Sequence, residues 1–415
     1  MSELDPNFPV EARSTAGEVP FQVRELFFTR TDERGVIKAG NGVFRRLSGY
    51  EWDDLVGAPH KIIRHATMPK GVFHLMWDRI KAGQPVGTYV KNRDKSGRYY
   101  WVFALVAPWD KGYISIRIKP TSTMLDKIAP IYAQLLKKEQ EEGLEPADSA
   151  ALLVEEIRNL GYAHYTSFQS TALAWEVEAR ARYLGKDLGQ IQKRFLAMSR
   201  GIADVQGETT EMTEALNDIR TVPMNMRIIA SRLENAGGPI SAISVNYSQM
   251  LDEMTSWMNT FVEGDTCVFA RIRDTVLTSQ FLSFAALLEE DVADSLGQTD
   301  PDAMPGHDMA TEAAHIDGLR DQFLKQARES LSDLEREAVR FGRSVLDMKR
   351  YVTGLSSTRM MCKIESAALS EQGTALGGIV EQLDLCQTEI EKRLSRIVEL
   401  NGLVESNTSM LRATS

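Results

Sequence analysis

Long apolar runs are absent from this 415-residue sequence. The best candidate, FLSFAALL at Phe281–Leu288, has eight residues and is followed by three acidic ones, whereas a helix that crosses a bilayer needs about 20 apolar residues. Cysteine is scarce too: the three cysteines are widely spaced, which argues against a disulfide framework and against Cys-based zinc sites. The acidic N-terminal stretch lacks the basic start and apolar core of a secretory signal. These absences predict a cytoplasmic chain with reduced cysteines and no membrane span.

The common catalytic signatures are also missing. The sequence contains no G-x-x-x-x-G-K-S/T phosphate loop, no G-x-S-x-G nucleophile elbow and no H-E-x-x-H helix. We therefore predict that the protein is not an enzyme.

Proline and aromatic residues become rare in the later part of the chain. Ten of the 14 prolines lie before residue 147, and 16 of the 32 aromatic residues lie within residues 1–120. The formal charge divides in the same way, +6 for residues 1–120 and −16 for the remainder. An acidic surface repels phosphate backbones, so the later part is expected to bind protein partners and no nucleic acid. The first part has the composition of a compact mixed domain.

Residues 20–120 alternate strand-like runs with turn residues. FFTRTDERGVIKAG predicts a first hairpin, and Gly87–Arg93 with Tyr99–Pro108 predicts a second hairpin that turns at Gly97. Gly112–Lys119 alternates with period two, which predicts a half-buried strand. Helix-like segments lie between the two hairpins. We therefore predict an α+β fold, with a five-stranded antiparallel sheet and short flanking helices.

The chain after Pro120 is typical of long helices, and its apolar residues step by three and four. This spacing indicates helical seams that need a partner helix to bury them, so a helical bundle or coiled coil and a homodimer are expected. The clearest seams are Leu188, Ile191, Phe195, Met198, Ile202 and Ile379, Leu383, Cys386, Ile390, Leu394, Ile397, Leu400. Breaks occur at Ala236–Pro239, predicted to be a hairpin tip, and at Gly297–His307, predicted to be a flexible loop.

The most informative stretch runs from Asn41 to Val102. It contains N-x-x-F-x-x-x-S-G-Y, L-x-G-x-P-H, R-H-x-x-M-P-K, M-W, and V-K-N-R-x-K-x-G-x-x-Y-W-V, all in one register. This pattern resembles the PAS domain of the aerotaxis-receptor family. The resemblance implies a five-stranded antiparallel sheet and flavin adenine dinucleotide (FAD), bound non-covalently as a redox reporter.

The resemblance also implies a cofactor region. The family's Arg-His pair, helix tryptophan and strand asparagine match positions in this chain. The residue types suit such a region, because cations can offset phosphates, flat rings can form walls and amides can make directional hydrogen bonds. The predicted cofactor-binding residues are Asn41, Arg64, His65, Trp77, Asn92 and Trp101.

One position departs from the family pattern. The usual R-H-P-D-M-P reads RHATMP in this chain, so Thr67 replaces a carboxylate associated with flavin binding. This favours an alternative in which the PAS domain carries no cofactor and the protein is a helical scaffold acting through protein–protein contacts. A haem-binding gas sensor, with His65 or His74 as axial ligand, is a third possibility.

A second resemblance lies in the helical part. Asn225–Ala236 reads NMRIIASRLENA and is similar to the descending helix of chemoreceptor signalling hairpins, including the spacing between Asn225 and Glu234. Ile240, Ile243, Tyr247, Met250, Met254 and Trp257 form the predicted returning stripe. The resemblance implies chemotaxis kinase and coupling proteins as partners.

These observations predict a domain order. It comprises an N-terminal tail (1–19), a PAS sensor (20–120), connecting helices (121–220), a chemoreceptor-like hairpin (221–296), a loop (297–310) and a C-terminal bundle (311–415). The predicted function is a cytoplasmic signal transducer that senses redox or oxygen status through flavin and relays it along helices in a chemotaxis-like pathway.

Overall fold

The structure, a computed structural model, describes residues 17–231, 237–264, 266–298, 300, 302–354, 360–361, 363–364 and 373–413. Its strands are β1 (Phe27–Asp32), β2 (Ile37–Gly40), β3 (Val86–Arg93), β4 (Tyr99–Trp109) and β5 (Gly112–Ile118). The first helices are α1 (Gly42–Ser48), α2 (Trp52–Leu55), α3 (Lys70–Lys81), α4 (Met124–Glu141), α5 (Pro146–Asn159) and α6 (Tyr165–Tyr183). The later ones are α7 (Gln190–Ile219), α8 (Val222–Ala230), α9 (Gly237–Phe261), α10 (Val268–Leu296), α11 (Met309–Gly354) and α12 (Gly373–Ala413). A 3₁₀ turn covers His60–Ile63.

The five strands form one antiparallel sheet in the order β2-β1-β5-β4-β3. The β1–β2 turn is closed by Asp32, whose carboxylate accepts hydrogen bonds from the backbone N–H groups of Arg34 and Val36 at 2.9 and 3.0 Å. The β3–β4 hairpin turns at Gly97, whose φ of 90° suits glycine. The predicted five-stranded α+β fold is therefore confirmed.

β5 is buried along its whole length, so the prediction of a half-buried strand is wrong. β5 lies in the centre of the sheet, and both faces of the sheet are covered. Helices α1 to α3 lie on one face, whereas α4, α6 and the later part of α10 pack against the other. Tyr132 of α4, for example, lies with its ring 6.3 Å from that of Trp101, and Phe281 of α10 lies 3.1 Å from the position that a Cβ on Gly87 would take.

The chain forms two compact units, and each unit contains two separate stretches of sequence. The first unit comprises residues 1–193 and 277–327, and the second comprises residues 194–276 and 328–415. The PAS-like sheet therefore shares its unit with α4 to α6, the end of α10 and the start of α11. The sequence gives no sign of this arrangement, because the contacting segments lie about 200 residues apart in the chain.

The second unit is a helical bundle with an apolar interior. The predicted seam on α12 is buried from Leu383 to Leu400, and the predicted stripe on α9 is buried from Ile240 to Trp257. On α7, Phe195, Met198 and Ile202 are buried, but Ile191 is 38% exposed, which corrects its place in the seam.

Helices α8 and α9 pack side by side, with Arg227 donating a hydrogen bond to Ser244 at 3.1 Å. Gly237–Pro239, predicted to turn, belong to the first turn of α9, a position where proline is tolerated. Leu233, Glu234 and Ala236, part of the predicted signalling hairpin, lie outside the described residues.

No helix within the described ranges is both long and apolar enough to cross a membrane.

Candidate functional site

A cavity of about 240 Å³ lies between the inner face of the sheet and α3. Most of its wall is apolar and most of its polar lining is basic or amide. The lining residues are Thr31, Arg34, Gly35, Pro59, His60, Lys61, Arg64, Phe73, Met76, Trp77, Ile80, Val90, Asn92, Ala104, Val106, Tyr113, Ser115 and Arg117. No aspartate or glutamate is among them. The volume is below the usual range of about 300–1,000 Å³ for small-molecule sites, so the cavity would enclose only part of a dinucleotide.

Two aromatic rings shape one side of the cavity. Trp77 of α3 and Tyr113 of β5 meet edge to face, with ring centroids 5.4 Å apart and an interplanar angle of 84°. Gly35 permits this placement of the tryptophan, because Trp77 ring atoms lie 3.1 and 3.2 Å from where a Cβ on Gly35 would be. Gly35 also has a φ of 75°, which disfavours other residues. The close packing of Trp77 on this turn therefore requires glycine at position 35.

The polar part of the cavity contains buried groups with few partners. Arg117 is 7% exposed, donates a hydrogen bond to Thr29 at 3.0 Å and lies 4.8 Å from the centre of the Phe27 ring. Burial lowers the pKa of Arg117 to about 10, and the nearby Tyr100 hydroxyl opposes this shift.

His60 and Asn92 lie in the same region. Burial, followed by the charge of Arg117, holds the pKa of His60 well below its usual value, so this imidazole is neutral at pH 7. The Asn92 side-chain amide nitrogen and the Tyr100 hydroxyl are buried without a hydrogen-bond partner among the described residues. Because an unpaired buried polar group is costly, the Asn92 amide, which lines the cavity, is suited to a bound ligand with acceptor atoms.

Arg64 lies in the wall between this cavity and a neighbouring surface groove. Its guanidinium stacks on Phe73, 3.8 Å from the ring centroid, and donates to the backbone oxygen of Met68 at 3.2 Å. Burial lowers the pKa of Arg64, and the charge of Glu139 opposes this shift. Arg64 can therefore contact a ligand that extends out of the cavity into the groove.

The structure brings three of the six predicted site residues together around the cavity: Arg64, Trp77 and Asn92. It places the other three elsewhere. Asn41 is the N-cap of α1, where its side-chain oxygen accepts from the backbone N–H of Phe44 at 3.2 Å.

His65 and Trp101 also lie outside the cavity wall. His65 is within 2.8 Å of the Thr67 hydroxyl on the exposed side of its loop. Trp101 pairs with Lys91 in the β3–β4 ladder, and its ring lies 6.3 Å from Tyr132 of α4. Since neighbouring side chains in a strand point to opposite faces, Trp101 lies across the sheet from Val90 and Asn92.

Sequence reasoning missed Arg117 and His60 as site residues. A signal for Arg117 existed: it shares one face of β5 with Tyr113 and Ser115, so the period-two pattern carried a cation to the inner face of the sheet. His60 had no such signal, because its burial depends on stacking against Phe44 of α1, with ring centroids 6.0 Å apart.

The described residues include no group of three or more His, Cys, Asp or Glu side chains placed to hold a metal ion. His74, one predicted haem ligand, pairs with Asp78 on α3 at 3.1 Å. Neither His65 nor His74 lines the cavity.

Two buried glutamates join the site to the helices that follow the sheet. Glu176 of α6 accepts hydrogen bonds from the Tyr89 hydroxyl at 2.6 Å and from the backbone N–H groups of Thr121 and Ser122 at 2.6 and 3.0 Å. The Ser122 hydroxyl donates to it as well, at 2.6 Å. This carboxylate of α6 therefore contacts both β3 and the segment that follows β5.

Glu139 of α4 plays a similar part at the beginning of α3. It accepts from the backbone N–H groups of Lys70 and Gly71 at 3.0 and 3.1 Å and from the Ser149 hydroxyl at 2.6 Å. These contacts fix the first turn of the helix that carries Phe73 and Trp77 over the cavity.

Comparisons with known proteins agree with this architecture. The PAS fold family matches residues 38–114. The sheet, the short helices and the enclosed cavity thus define a PAS domain.

Over 126 residues, 29% of this chain, the sequence is 36% identical to the aerotaxis receptor of Escherichia coli (strain K12). The recognition of an aerotaxis-receptor-type PAS domain is therefore confirmed. The match spans 25% of the receptor. Among solved structures, the PAS domain of a protein from Colwellia psychrerythraea is 18% identical, with 23% of this chain and 86% of that chain covered and a TM-score of 0.20.

Proposed function

We propose that this protein is a non-catalytic PAS signal transducer that binds the ring system of a flavin in the cavity and relays redox or oxygen status through its helices. The single observation that carries the proposal is the cavity itself, with flat apolar walls on one side and the buried donors of Asn92 and Arg117 on the other. The ring of a flavin has this same division between an apolar edge and an acceptor-rich edge. When bound, a flavin supplies reversible electron transfer.

The route from cavity to output is proposed to begin at α3 and the sheet. Movement of Trp77 or Asn92 would reach α4 through Glu139 and α6 through Glu176, because these carboxylates join the elements by short hydrogen bonds. A ligand shifts such an equilibrium only if it interacts differently with the two states. Output to chemotaxis kinase or coupling proteins, and homodimerisation, are part of the proposal and rest on the sequence resemblance. The cytoplasmic location stays a prediction of the sequence.

The second candidate is a cofactor-free PAS domain in a helical scaffold. The observation that favours it is Thr67, whose hydroxyl contacts His65 outside the cavity and supplies no carboxylate.

The absorption spectrum of purified protein, before and after a reductant, separates the two candidates. We expect the bands of an oxidised flavin, bleached on reduction. Ala104, 1% exposed and part of the cavity wall, offers a matched test: Ala104→Leu fills the cavity and should remove the bound flavin. Ala151→Leu, the same change at an exposed site on α5, should retain it. A colourless wild type that takes up no added flavin would favour the scaffold.

A further inference from the structure

The cavity contains a buried cation, Arg117. Among the described residues, Arg117 makes no salt bridge, and its hydrogen-bonded partner is the Thr29 hydroxyl. Buried arginines are ordinarily paired with acids, because an unpaired buried charge loses its hydration without compensation. The other arginines and the lysine at the cavity, Arg34, Lys61 and Arg64, lie nearer to solvent. Arg117 is therefore the cation buried at the inner wall of the cavity.

From this we propose that Arg117 determines ligand specificity, by recognising the acceptor-bearing edge of a planar ring ligand together with Asn92. The proposal rests on the proposed function and adds the orientation of the ligand: acceptor edge towards Arg117, apolar edge towards Trp77 and Met76. A guanidinium presents several N–H donors in one plane, which suits adjacent ring carbonyl and nitrogen acceptors. The neutral His60 beside it adds no competing charge.

The stability of the ligand-free protein distinguishes a structural role of Arg117 from a role in ligand binding. If Arg117 serves only to link Thr29 and Phe27, its removal weakens the ligand-free protein. If it serves the ligand, Arg117→Met leaves the ligand-free protein equally or more stable, because an apolar side chain of similar length replaces an uncompensated buried charge.

The test measures binding of two three-ring compounds by fluorescence titration, together with the thermal stability of the ligand-free protein. Riboflavin carries ring carbonyl acceptors, and a phenazine has a similar width without them. We expect wild type to bind riboflavin at least tenfold more tightly than the phenazine, and Arg117→Met to lose about ten- to a hundredfold in riboflavin affinity with little change for the phenazine.

Equal affinity of wild type and Arg117→Met for riboflavin would overturn the role of Arg117 and leave the proposed function intact. If the wild type does not bind riboflavin, the proposal that the cavity binds a flavin is overturned. If Arg117→Met does not fold, the wild-type preference alone decides, since equal binding of both compounds contradicts recognition of an acceptor edge.

Residues 300 and 302–315, which we call the docking segment, lie against the outside of the PAS domain within the first unit. Glu312, with no exposed side-chain surface, receives two hydrogen bonds from Arg30 at 2.7 and 2.8 Å. Asp302 pairs with Arg45 at 2.6 Å, and Trp109 donates to His315 at 2.9 Å. These pairs join the basic PAS domain to the acidic later region.

We propose that the docking segment is an intramolecular contact that responds to the state of the cavity through α1. Its carboxylates hold Arg45 and the backbone N–H of Gly42, in the first turns of α1. On the opposite side of α1, Phe44 stacks on His60 with an interplanar angle of 9°, and His60 lines the cavity. A change at His60 therefore reaches the docking segment through one short helix.

Hydrogen exchange followed by mass spectrometry tests this contact in the full chain. We expect slow exchange of residues 302–315 in wild type and at least tenfold faster exchange in Arg30→Met, because this change leaves the Glu312 carboxylate without its bidentate partner. Arg46→Met, which removes an exposed pair with Glu25, is the matched control and should have no effect there.

The coupling is tested by adding riboflavin to saturation. We expect a change in exchange of the docking segment in wild type. Equal exchange in wild type and Arg30→Met would overturn the docking. If the docking segment exchanges at the same rate with and without riboflavin, the proposed coupling to the cavity is overturned.

Discussion

Replacing Glu176 by alanine is expected to lower the free energy of unfolding of the first unit by about 3–5 kcal/mol. The Glu176 side chain is fully buried and accepts four hydrogen bonds, from the Tyr89 hydroxyl, the Thr121 and Ser122 backbone and the Ser122 hydroxyl. Alanine leaves these donors unpaired in the interior, and each unpaired donor costs about 1–3 kcal/mol before relaxation. The loss is larger than that of a typical substitution, which is about 1 kcal/mol.

Chemical denaturation followed by tryptophan fluorescence measures this loss. Five of the six tryptophans lie in the first unit, so the signal reports mainly on it. Glu155→Ala, at an exposed site on α5, is the control and should change stability by less than about 0.5 kcal/mol. A loss below about 1 kcal/mol for Glu176→Ala would mean that water satisfies the donors and that Glu176 does not join the sheet to α6.

Much of the PAS domain follows from local sequence. The strand-like runs of β3 and β4, the period-two alternation of side chains in β5 and the turn at Gly97 predict the strands, since they depend on neighbours along the chain. The same alternation places Asn92 on the cavity face and Trp101 on the opposite face once the strand register is known. The prediction of Trp101 as a cofactor-binding residue uses the residue type, a flat ring, without that register, and the structure places Trp101 outside the cavity wall.

The remaining features depend on contacts between distant segments. The burial of β5 requires helices from later in the chain, and the salt bridge between Arg30 and Glu312 joins residues 282 positions apart. Neither periodicity nor composition specifies which helix covers which face. The charge difference between the two parts of the chain does contain this information in coarse form, because basic and acidic surfaces meet at the docking segment. The charge difference indicates that the two parts of the chain attract each other, but it does not say which residues meet.

The close contact between α3 and α5 provides the second large effect. Gly71, in the first turn of α3, packs so closely on α5 that a Cβ would lie 2.4 Å from the Ser149 hydroxyl oxygen and 2.6 Å from the Ala150 backbone nitrogen. Separations below 3.0 Å from backbone atoms cannot be relieved by a side-chain rotation. Gly71→Ala must therefore move α3 away from α5, and we expect a loss of about 1–3 kcal/mol. The higher helix propensity of alanine offsets part of that loss.

The same substitution elsewhere should have the opposite sign. Gly207, within α7, has no atom within 4 Å of the position that a Cβ would take, so Gly207→Ala is expected to raise stability by about 0.5–1 kcal/mol. Denaturation curves of both variants measure the pair, with hydrogen exchange assigning each change to its unit. Because α3 carries Phe73 and Trp77 over the cavity, Gly71→Ala should also weaken flavin binding, which Gly207→Ala should not. If Gly71→Ala instead stabilised the protein and preserved flavin binding, α3 could shift freely over the cavity, and its contact with α5 could not transmit a change in the cavity to the helices.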